Sequence, residues 1–548
     1  MNIISAQDIE IYTGAGLWGD NPESHSLDGL LRGQASNNPD KIALVDAPDR
    51  KQWTTGAPRT LTYKELNQEV EFLSGFLKGL NLAAGSVVAI AMGNTTNSYV
   101  AALAVHRAGF IAAPIPLYWA REETMMYLDN VQARVIITCD VLEDLQVALM
   151  CREIAQQLFN IRYVFGFGDN LPDGVVNLER ILQMAELGET EVTADELPSP
   201  NAVACIHPQE FNTTGKTGTI SRSSNHLLAT YNVLADSLPE TENPILPFSI
   251  SGIVGFSFGL IGILRGDYTL HLHHYRADEL LNRQIGDVSS NLAFLPAGLS
   301  GIVEDEAVTL ALVHKNTQLE RARYPDRTIV DVTVLNESAV FAESRPSGQD
   351  IAAGLPLAQS VTAPTLISLG LKGINVSEVG KDLHKRGGDI HISGASIPAQ
   401  SLDPAYEREN DRDVSIVQLG LSGSLSNDDD TRISPVGFSS EVVDVNGISF
   451  SGAKLDAIYK QVPGVVDAAY VLNPIDNDIY AVVVPDYNTS ITTDTFHDGL
   501  KELGYSDLIS PVGVYVTNTI QRGIGGIVLR GSLLPPEELS ATGLRQAG

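Results

Sequence analysis

The stretch Leu61–Met92, LTYKELNQEVEFLSGFLKGLNLAAGSVVAIAM, decides the fold class. After Tyr63, apolar residues recur at close to helical spacing, which predicts an amphipathic helix. They are Leu66, Val70, Leu73, Phe76, Leu77 and Leu80. A glycine-containing turn then leads into the apolar run Val87–Ala91, which predicts a buried strand. A helix followed by an apolar, β-branched strand is typical of a parallel α/β sheet.

The residues downstream continue the same alternation. The stretch Ser98–Asp140 predicts a helix, a strand, a second helix and a second strand. Upstream, residues 25–46 predict an opening helix and a first strand. Because the chain has 548 residues, it is too long for a single core, and we expect two to four domains.

Composition and charge exclude several classes of function. The net charge is −31, from 36 basic and 67 acidic residues, so binding of nucleic acid through bulk charge is disfavoured. Three cysteines form no metal or disulfide pattern, and the N-terminus lacks the features of a signal peptide. We therefore expect a cytoplasmic protein. The uncharged segment Asn243–Leu264 is long enough to cross a bilayer, but its prolines and glycines favour a buried core segment, so no membrane span is expected.

The segment FNTTGKTGTI, Phe211–Ile220, lies between a predicted strand and a helix that begins near Asn225. Small hydroxyl residues, glycines and a lysine in this position suit a phosphate cradle, because glycines let backbone N–H groups turn toward an anion. The spacing does not fit the Walker pattern, and a plain Gly/Thr turn is the alternative. The candidate phosphate-binding residues are Thr213, Thr214, Gly215, Lys216, Thr217 and Gly218.

Together these passages resemble the adenylate-forming superfamily, which contains acyl- and aryl-CoA synthetases, NRPS adenylation domains and luciferases. The family loop reads roughly TSGTTGxPKG and wraps the phosphates of ATP; here its proline is missing and Thr217 stands at the lysine position. The resemblance implies an α/β protein with two parts. Residues 1–436 would hold two parallel-type sheets with helices plus a distorted β-barrel, and residues 437–548 a small, mobile α+β domain that pivots about Gly437–Ser439.

Two further segments resemble the family's substrate region and its C-terminal domain. Ile245–Leu281 resembles the segment that lines the acyl pocket, with simple helix packing as the alternative. The candidate pocket residues are Phe248, Gly252, Gly255 and Phe256. The histidines His271, His273 and His274 fall on a predicted strand whose side chains alternate in direction, so they do not predict a three-ligand metal site. Asn446–Pro485 resembles the family's C-terminal domain.

The positions that carry catalysis in the family are largely changed. Glu337 matches the family's magnesium-binding glutamate, although the aromatic, glycine and threonine residues of that motif are replaced. Gln418 stands at the ribose-binding aspartate, and Phe438 at the hinge arginine. In the last motif Arg522 and Arg530 match, but Ile527 replaces the adenylation lysine. Because loss of one contact that stabilises transition-state charge costs roughly a hundred- to a thousandfold in rate, an isoleucine there is a severe change.

Two hypotheses follow. In the first, the chain is a non-adenylating member: it binds an acyl ligand, acts as a partner subunit, or performs repurposed chemistry. In the second, it is a working ATP-dependent carboxylate ligase that uses Mg-ATP and passes the acyl group to CoA, a carrier protein or an amine. Glu337, Lys216, Arg522 and Arg530 would then have to compensate for the lost groups.

Overall fold

The structure is a computed structural model, and it describes residues 26–116, 119, 121–185, 198–209, 218–274, 278–315, 327–345, 347–348, 354–356, 368–372, 387–394, 396–397, 417–425, 432–438, 442–445, 448–472, 478–505, 509–522, 528, 530 and 533. In chain order its strands are β1 (Ile42–Val45), β2 (Thr60–Thr62), β3 (Val87–Ala91), β4 (Ile111–Pro114), β5 (Val135–Cys139), β6 (Tyr163–Phe167), β7 (Val176–Asn177), β8 (Val203–Pro208), β9 (Thr219–Ser223), β10 (Ile245–Leu246), β11 (Leu270–Leu272), β12 (Leu292–Pro296), β13 (Thr309–Lys315), β14 (Ile329–Leu335), β15 (Ala339–Arg345), β16 (Leu355–Pro356), β17 (Ser368–Lys372), β18 (Gly387–Ser393), β19 (Val417–Leu425), β20 (Arg432–Phe438), β21 (Val442–Val445), β22 (Ile448–Ser451), β23 (Val465–Leu472), β24 (Ile479–Pro485) and β25 (Gly513–Val516).

The first helix precedes β1, and the other helices lie between strands in chain order. They are α1 (Leu27–Asn37), α2 (Tyr63–Lys78), α3 (Thr96–Arg107), α4 (Arg121–Asn130), α5 (Val147–Ala155), α6 (Leu178–Ala185), α7 (Ser224–Ala235), α8 (Gly262–Arg265), α9 (Asp278–Val288), α10 (Gly452–Tyr459) and α11 (Thr493–Glu502), with short 3₁₀ turns at Arg50–Gln52 and Ala297–Ile302. The segment Gly255–Ile261 is a π-helix that continues directly into α8.

The helix and strand predicted from Leu61–Met92 are confirmed as α2 and β3. Helix α2 begins with a capping box, in which Thr62 accepts from the backbone N–H of Glu65 and the Glu65 carboxylate accepts from that of Thr62. Its apolar side chains Leu66, Val70, Leu73 and Leu77 are fully buried. Each such burial contributes about 2 kcal/mol, so the apolar face holds the helix against the rest of the core.

Two large sheets of mainly parallel strands form the N-terminal region, as predicted. The seven-stranded sheet has the order β7-β6-β5-β3-β4-β8-β9, and all its neighbours are parallel except β8 and β9. The eight-stranded sheet has the order β15-β14-β13-β12-β10-β11-β1-β2, with antiparallel strands only at its two edges. Helices and the π-helix pack between the sheets in one continuous apolar core.

The rest of the described chain forms smaller antiparallel and mixed sheets. Where the resemblance implies a distorted barrel, five strands pair in the order β16-β20-β19-β18-β17. The C-terminal part holds the sheet β23-β24-β25 with α10 and α11, and Tyr459 meets Phe496 edge-on at 5.3 Å in its core. This is the small α+β region that was predicted. The predicted boundary at residues 436 and 437 lies within β20, and rotation about Gly437 stays a prediction.

The segment Asn243–Leu264 is part of the core. It supplies β10 and the π-helix, whose Phe256 and Phe258 side chains are buried. Among the described residues, no helix combines the length and the apolar character needed to cross a bilayer.

Candidate functional site

A cavity of about 640 Å³ opens where the carboxyl ends of strands from both large sheets meet. In open parallel α/β sheets, ligands bind outside these strand ends. The lining residues lie at or shortly after the carboxyl ends of β3, β4, β5, β8, β10, β11, β12, β13 and β14. They are Gly93, Asn94, Pro116, Trp119, Leu142, Pro208, Gln209, Pro247, Phe248, Ser249, Ser251, Gly252, Ile253, Val254, Gly255, His274, Pro296, Leu299, Val313, Lys315, Val334 and Glu337.

Glu337 stands in the tight turn that joins β14 to β15. Asn336 and Glu337 have left-handed backbone angles, with φ of 49° and 54°. The turn closes through a hydrogen bond of 2.8 Å from the Ser338 N–H to the Leu335 carbonyl. Asn is often found in this conformation, whereas Glu is uncommon, so the surrounding contacts must hold the turn in place.

Both oxygens of the Glu337 carboxylate are engaged by the protein. Oε2 accepts a hydrogen bond of 2.7 Å from the backbone N–H of Ile253, at the start of the helical segment that contains the π-helix. Oε1 accepts from the ammonium of Lys315, the last residue of β13. The Glu337 side chain is only 6% exposed, whereas that of Lys315 is 47% exposed. The carboxylate therefore caps a helix start and neutralises a lysine at the cavity wall.

Two further side chains hold the backbone of the same turn. Arg222 on β9 is fully buried and donates to the carbonyls of Glu337 and Ser338. Its Nε and Nη1 atoms have no hydrogen-bond partner among the described residues, and burial lowers its pKa to about 10. Gln209, just after β8, donates from Nε2 to the Ser338 hydroxyl at 2.6 Å. Residues on both sides of the predicted phosphate loop thus contact the Glu337 turn, Gln209 before it and Arg222 after it.

The predicted acyl-pocket residues lie in or beside the cavity. Phe248, Gly252 and Gly255 line it, whereas Phe256 packs in the core with its ring edge-on to His207 at 5.1 Å. Gly255 is required at its position, because a Cβ there would lie 2.6 Å from the Phe248 carbonyl oxygen and nearer still to that of Ser249. The start of the π-helix thus packs tightly against the loop that carries Phe248.

Cys205 and His207 lie side by side on β8 but form no ion pair. The Cys205 sulfur is 3.5 Å from His207 Nδ1, and His207 Nε2 is 3.1 Å from the Ile250 carbonyl oxygen. Burial raises the pKa of Cys205 to about 12 and lowers that of His207 to about 3. A neutral thiol beside a neutral imidazole is a pair of core residues and not an activated nucleophile.

At another part of the cavity wall, the lining residue His274 stacks on Trp53. The ring of His274 lies 4.5 Å from that of Trp53, nearly parallel, and its Nε2 is 2.7 Å from a Glu143 carboxylate oxygen. Glu143 has a left-handed φ of 51°, and its N–H donates to the Trp53 carbonyl. In the described part of the chain, no group of three or more His, Cys, Asp or Glu could hold a metal ion.

Arg522 and Arg530 are engaged within the C-terminal part. Arg522 donates from Nη2 to both carboxylate oxygens of Asp467, at 2.8 and 2.9 Å. Arg530 pairs with Asp456 at 2.7 Å, donates to the Tyr470 carbonyl at 2.8 Å, and lies 3.8 Å above the Tyr470 ring. Neither arginine is among the residues that line the cavity.

The remaining predicted site residues are only partly described. Thr213, Thr214, Gly215, Lys216, Thr217 and Ile527 lie outside the described residues. Gly218 is described, and its carbonyl accepts from the Gln209 N–H at 2.8 Å. Gln418 and Phe438 are placed by their backbones, Gln418 opposite His391 and Phe438 opposite Leu421.

Sequence reasoning missed three residues that build the site: Lys315, Gln209 and Arg222. Lys315 ends an apolar strand and Gln209 follows another, which is where ligand-binding side chains of a parallel sheet are expected. That rule could have found these two. Arg222 gave no such signal, because its role depends on a long-range contact with the turn at Glu337.

The match to a protein-family model lies in the first half of the sequence. Residues 31–206 match the family model described as AMP-binding enzyme. The chain is 35% identical over 117 residues to phosphinothricin tripeptide synthetase PhsB of Streptomyces viridochromogenes, covering 21% of this chain and 9% of that protein. It is 28% identical over 186 residues to a salicyl-AMP ligase / salicyl-S-ArCP synthetase of Mycobacterium tuberculosis, covering 34% of this chain and 31% of that protein. The matches thus span less than a third of these relatives.

The structural similarity extends over nearly the whole chain. The ATP-bound crystal structure of MatB from Rhodopseudomonas palustris has a TM-score of 0.63 at 16% identity, and the match covers 93% of this chain and 98% of that one. At this level of identity the likeness establishes the fold.

Proposed function

We propose that the chain, whose residues 31–206 match the AMP-binding enzyme model, is a non-adenylating member of the adenylate-forming superfamily that binds an acyl or aryl ligand in the cavity at the strand ends. If the chain acts as a partner subunit or performs repurposed chemistry, it would use the same ligand-binding site. The proposal requires that the residues present no longer suit Mg-ATP, while the cavity still suits a small organic ligand.

The state of Glu337 is the observation that carries the proposal. Magnesium needs hard oxygen ligands in near-octahedral geometry, and the family's glutamate would supply one of them. Here one carboxylate oxygen holds the Lys315 ammonium and the other holds the Ile253 N–H. A divalent cation at this carboxylate would have to displace the Lys315 ammonium or lie beside it, where the two positive charges repel each other. The Glu337 site as built does not fit magnesium.

Changes in the other catalytic motifs point in the same direction. Gln418 and Phe438 replace an aspartate and an arginine of the family pattern, and Thr217 and Ile527 replace its two lysines. Transfer of a nucleotidyl group depends on stabilising negative charge at the phosphates. Four altered charged positions together leave little of that stabilisation, and Arg530 is committed to Asp456 and Tyr470.

The cavity itself supports binding of a small molecule. Its volume of about 640 Å³ lies within the range of known ligand sites. Its lining is mostly apolar and includes Phe248, Leu299 and Val313, together with polar side chains such as Lys315 and Glu337. An aliphatic or aromatic acid matches this combination.

ATP–pyrophosphate exchange tests the proposal. Purified protein would be given labelled pyrophosphate, Mg-ATP and a panel of aliphatic and aromatic carboxylates, with an active acyl-CoA synthetase as positive control. We expect no exchange above the protein-free blank for any acid. Exchange that depends on one of the carboxylates would contradict the proposal.

The alternative is a working ATP-dependent carboxylate ligase, in which Mg-ATP would be the cofactor and CoA or a carrier protein the acceptor. The location of Glu337 on the wall of the cavity favours it. In that case Lys315 would have to leave the carboxylate when magnesium binds.

A further inference from the structure

We propose that a second cavity, at the β7 edge of the seven-stranded sheet, binds a phosphate monoester of a polyol, such as a sugar phosphate. This edge cavity has a volume of about 330 Å³ and lies between α5, β6 and the residues that lead into β7. No described residue lines both the edge cavity and the large cavity at the carboxyl strand ends. The inference therefore goes beyond the proposed function and does not depend on the ligand of the large cavity.

The edge cavity takes one arginine from a helix and one from the start of a strand. Arg152 on α5 and Gln156, which follows α5 in helical conformation, are four residues apart and therefore share one face of the helix. Arg162 immediately precedes β6 and stands two residues before Val164, on the same face of the sheet. Val164 and Ile154 of α5 belong to one apolar cluster, so α5 covers that face. Both arginines line the cavity.

The two arginines have no acidic partner in the described part of the chain. Neither guanidinium forms an ion pair or a hydrogen bond with another described residue, and Arg152 Nε is buried without a hydrogen-bond partner. Glu153, next to Arg152 in sequence, pairs instead with Arg121 at 3.4 Å. The protein has 67 acidic and only 36 basic residues, so acidic partners are abundant. Two arginines left without one at the same cavity indicate a site for an anion.

The position of Arg152 also has a simpler interpretation. It lies in the last turn of α5, where a basic residue stabilises a helix by interacting with its C-terminal partial negative charge. That role needs a charge but no cavity, and it does not involve Arg162. The same partial charge weakens binding of an anion near the end of α5, so we expect both guanidinium groups to be needed.

The polar groups of the edge cavity define the class of ligand. A phosphate monoester carries a charge of about −1.5 to −2 at neutral pH, which matches two guanidinium groups. Arginine also presents paired N–H donors that fit phosphate oxygens. Asp173 and Gln156 line the same cavity, and their side chains can accept hydrogen bonds from hydroxyl groups. The volume lies at the small end of the range of ligand sites, which suits a sugar phosphate.

Calorimetric titration at constant ionic strength tests the proposal with three probes. Glucose 6-phosphate carries both parts of the ligand, inorganic phosphate only the anion, and glucose only the hydroxyl groups. We expect glucose 6-phosphate to bind with a Kd of about 1 mM or tighter and glucose not to bind detectably. Inorganic phosphate should bind about tenfold more weakly than glucose 6-phosphate, because it lacks the hydrogen bonds of the hydroxyl groups.

Four variants locate the site. Arg152→Gln and Arg162→Gln should each weaken binding of glucose 6-phosphate about tenfold or more, because a charge-assisted hydrogen bond is lost. Arg283→Gln removes the same charge from an exposed position on α9, outside both cavities, and should leave binding unchanged. Asp173→Ala should tighten inorganic phosphate and reduce the preference for glucose 6-phosphate. A thermal melt of each variant verifies that it is folded, and Arg162→Gln suffices if Arg152→Gln is not.

Three results would overturn the proposal. The first is no binding of glucose 6-phosphate at about 10 mM, and the second is equal binding of inorganic phosphate and glucose 6-phosphate. The third is binding that Arg162→Gln keeps, above all if Lys315→Met abolishes it, since the ligand would then occupy the large cavity. Pyrophosphate exchange with a carboxylate would contradict the proposed function and leave these expectations unchanged, so the two failures are distinguishable.

Discussion

At the scale of single residues, Glu337 combines several unusual features. It has a left-handed backbone, a buried carboxylate and a carbonyl held by the fully buried Arg222. A non-glycine residue in such a conformation costs on the order of 1–3 kcal/mol, and this cost must be offset by its contacts. The contacts with Ile253 and Lys315 are therefore part of what holds the turn.

Substitutions at Glu337 should separate its hydrogen bond from its charge. Glu337→Ala removes the acceptor of the Ile253 N–H, so we expect a loss of about 1–2 kcal/mol in the free energy of unfolding. Glu337→Gln keeps an acceptor and should lose less, because an ion pair with a half-exposed lysine contributes little. Urea unfolding of the two variants measures both losses in stability. Equal losses would show that the charge, and not the hydrogen bond, stabilises the turn.

At the scale of elements, the π-helix shapes the cavity wall. Its first residue, Gly255, packs against the carbonyls of Phe248 and Ser249 with no room for a side chain. At Gly75, in the last turn of α2, a Cβ would have no neighbouring atom within 4 Å outside the backbone of its own helix. The two glycines thus form a matched pair. Alanine at Gly255 tests whether close packing requires a glycine, and alanine at Gly75 tests the cost of backbone freedom alone.

Alanine substitutions at these glycines should have opposite effects. Gly255→Ala must displace backbone, so we expect a loss of about 3 kcal/mol or more in stability. Gly75→Ala should raise stability by about 0.5–1 kcal/mol, because alanine is the better helix former. Chemical denaturation of both variants checks this. A mild effect of Gly255→Ala would mean that the Phe248 loop adjusts easily.

The two C-terminal arginines form a second matched pair. Arg530 joins a helix, a strand carbonyl and an aromatic ring, and burial raises the pKa of its partner Asp456 despite the arginine. Arg530→Ala should cost about 2–4 kcal/mol in stability of the C-terminal part, since it leaves Asp456 buried without its partner. Arg522→Ala breaks a more exposed pair and should cost about 1 kcal/mol or less. Limited proteolysis would report the difference, and similar protection of the two variants would contradict it.

At the scale of the whole molecule, the site exists because two sheets bring their carboxyl strand ends together. Individual helices and strands could be predicted from local sequence. The capping box of Thr62 and Glu65 and the helical spacing of Leu66 and Val70, for example, involve only residues close together in the chain. The resemblance to the adenylate-forming superfamily also indicated the region around Phe248 as part of the pocket. The pairing of Lys315 with Glu337 was not predictable, because it depends on which strands become neighbours across the sheet.

Buried histidines give the molecule a predictable sensitivity to acid. Burial lowers the pKa of His207 to about 3 and those of His106 and His226 to about 4. The unfolded chain, with a histidine pKa of about 6.5, then binds more protons, so stability is present above that value and is lost as pH falls toward the folded pKa values. In the cap of α7, His226 Nδ1 accepts from the Ser223 N–H, which only a neutral ring can do.

His226→Gln should reduce this acid sensitivity. Glutamine can complete the same capping box but does not titrate. Between about pH 7.5 and about pH 5, we expect the original chain to lose about 2 kcal/mol more stability than the variant. Urea unfolding at the two pH values measures the difference. Parallel losses in both proteins would show that His226 does not contribute.

Calorimetric titration with Mg-ATP tests the central claim most directly. If Lys315 and not a metal ion is the cation held by Glu337, neither the original chain nor Glu337→Ala should bind Mg-ATP detectably at millimolar concentration. Micromolar binding by the original chain that weakens in Glu337→Ala would contradict the account, because Glu337 would then serve as a nucleotide-linked metal ligand.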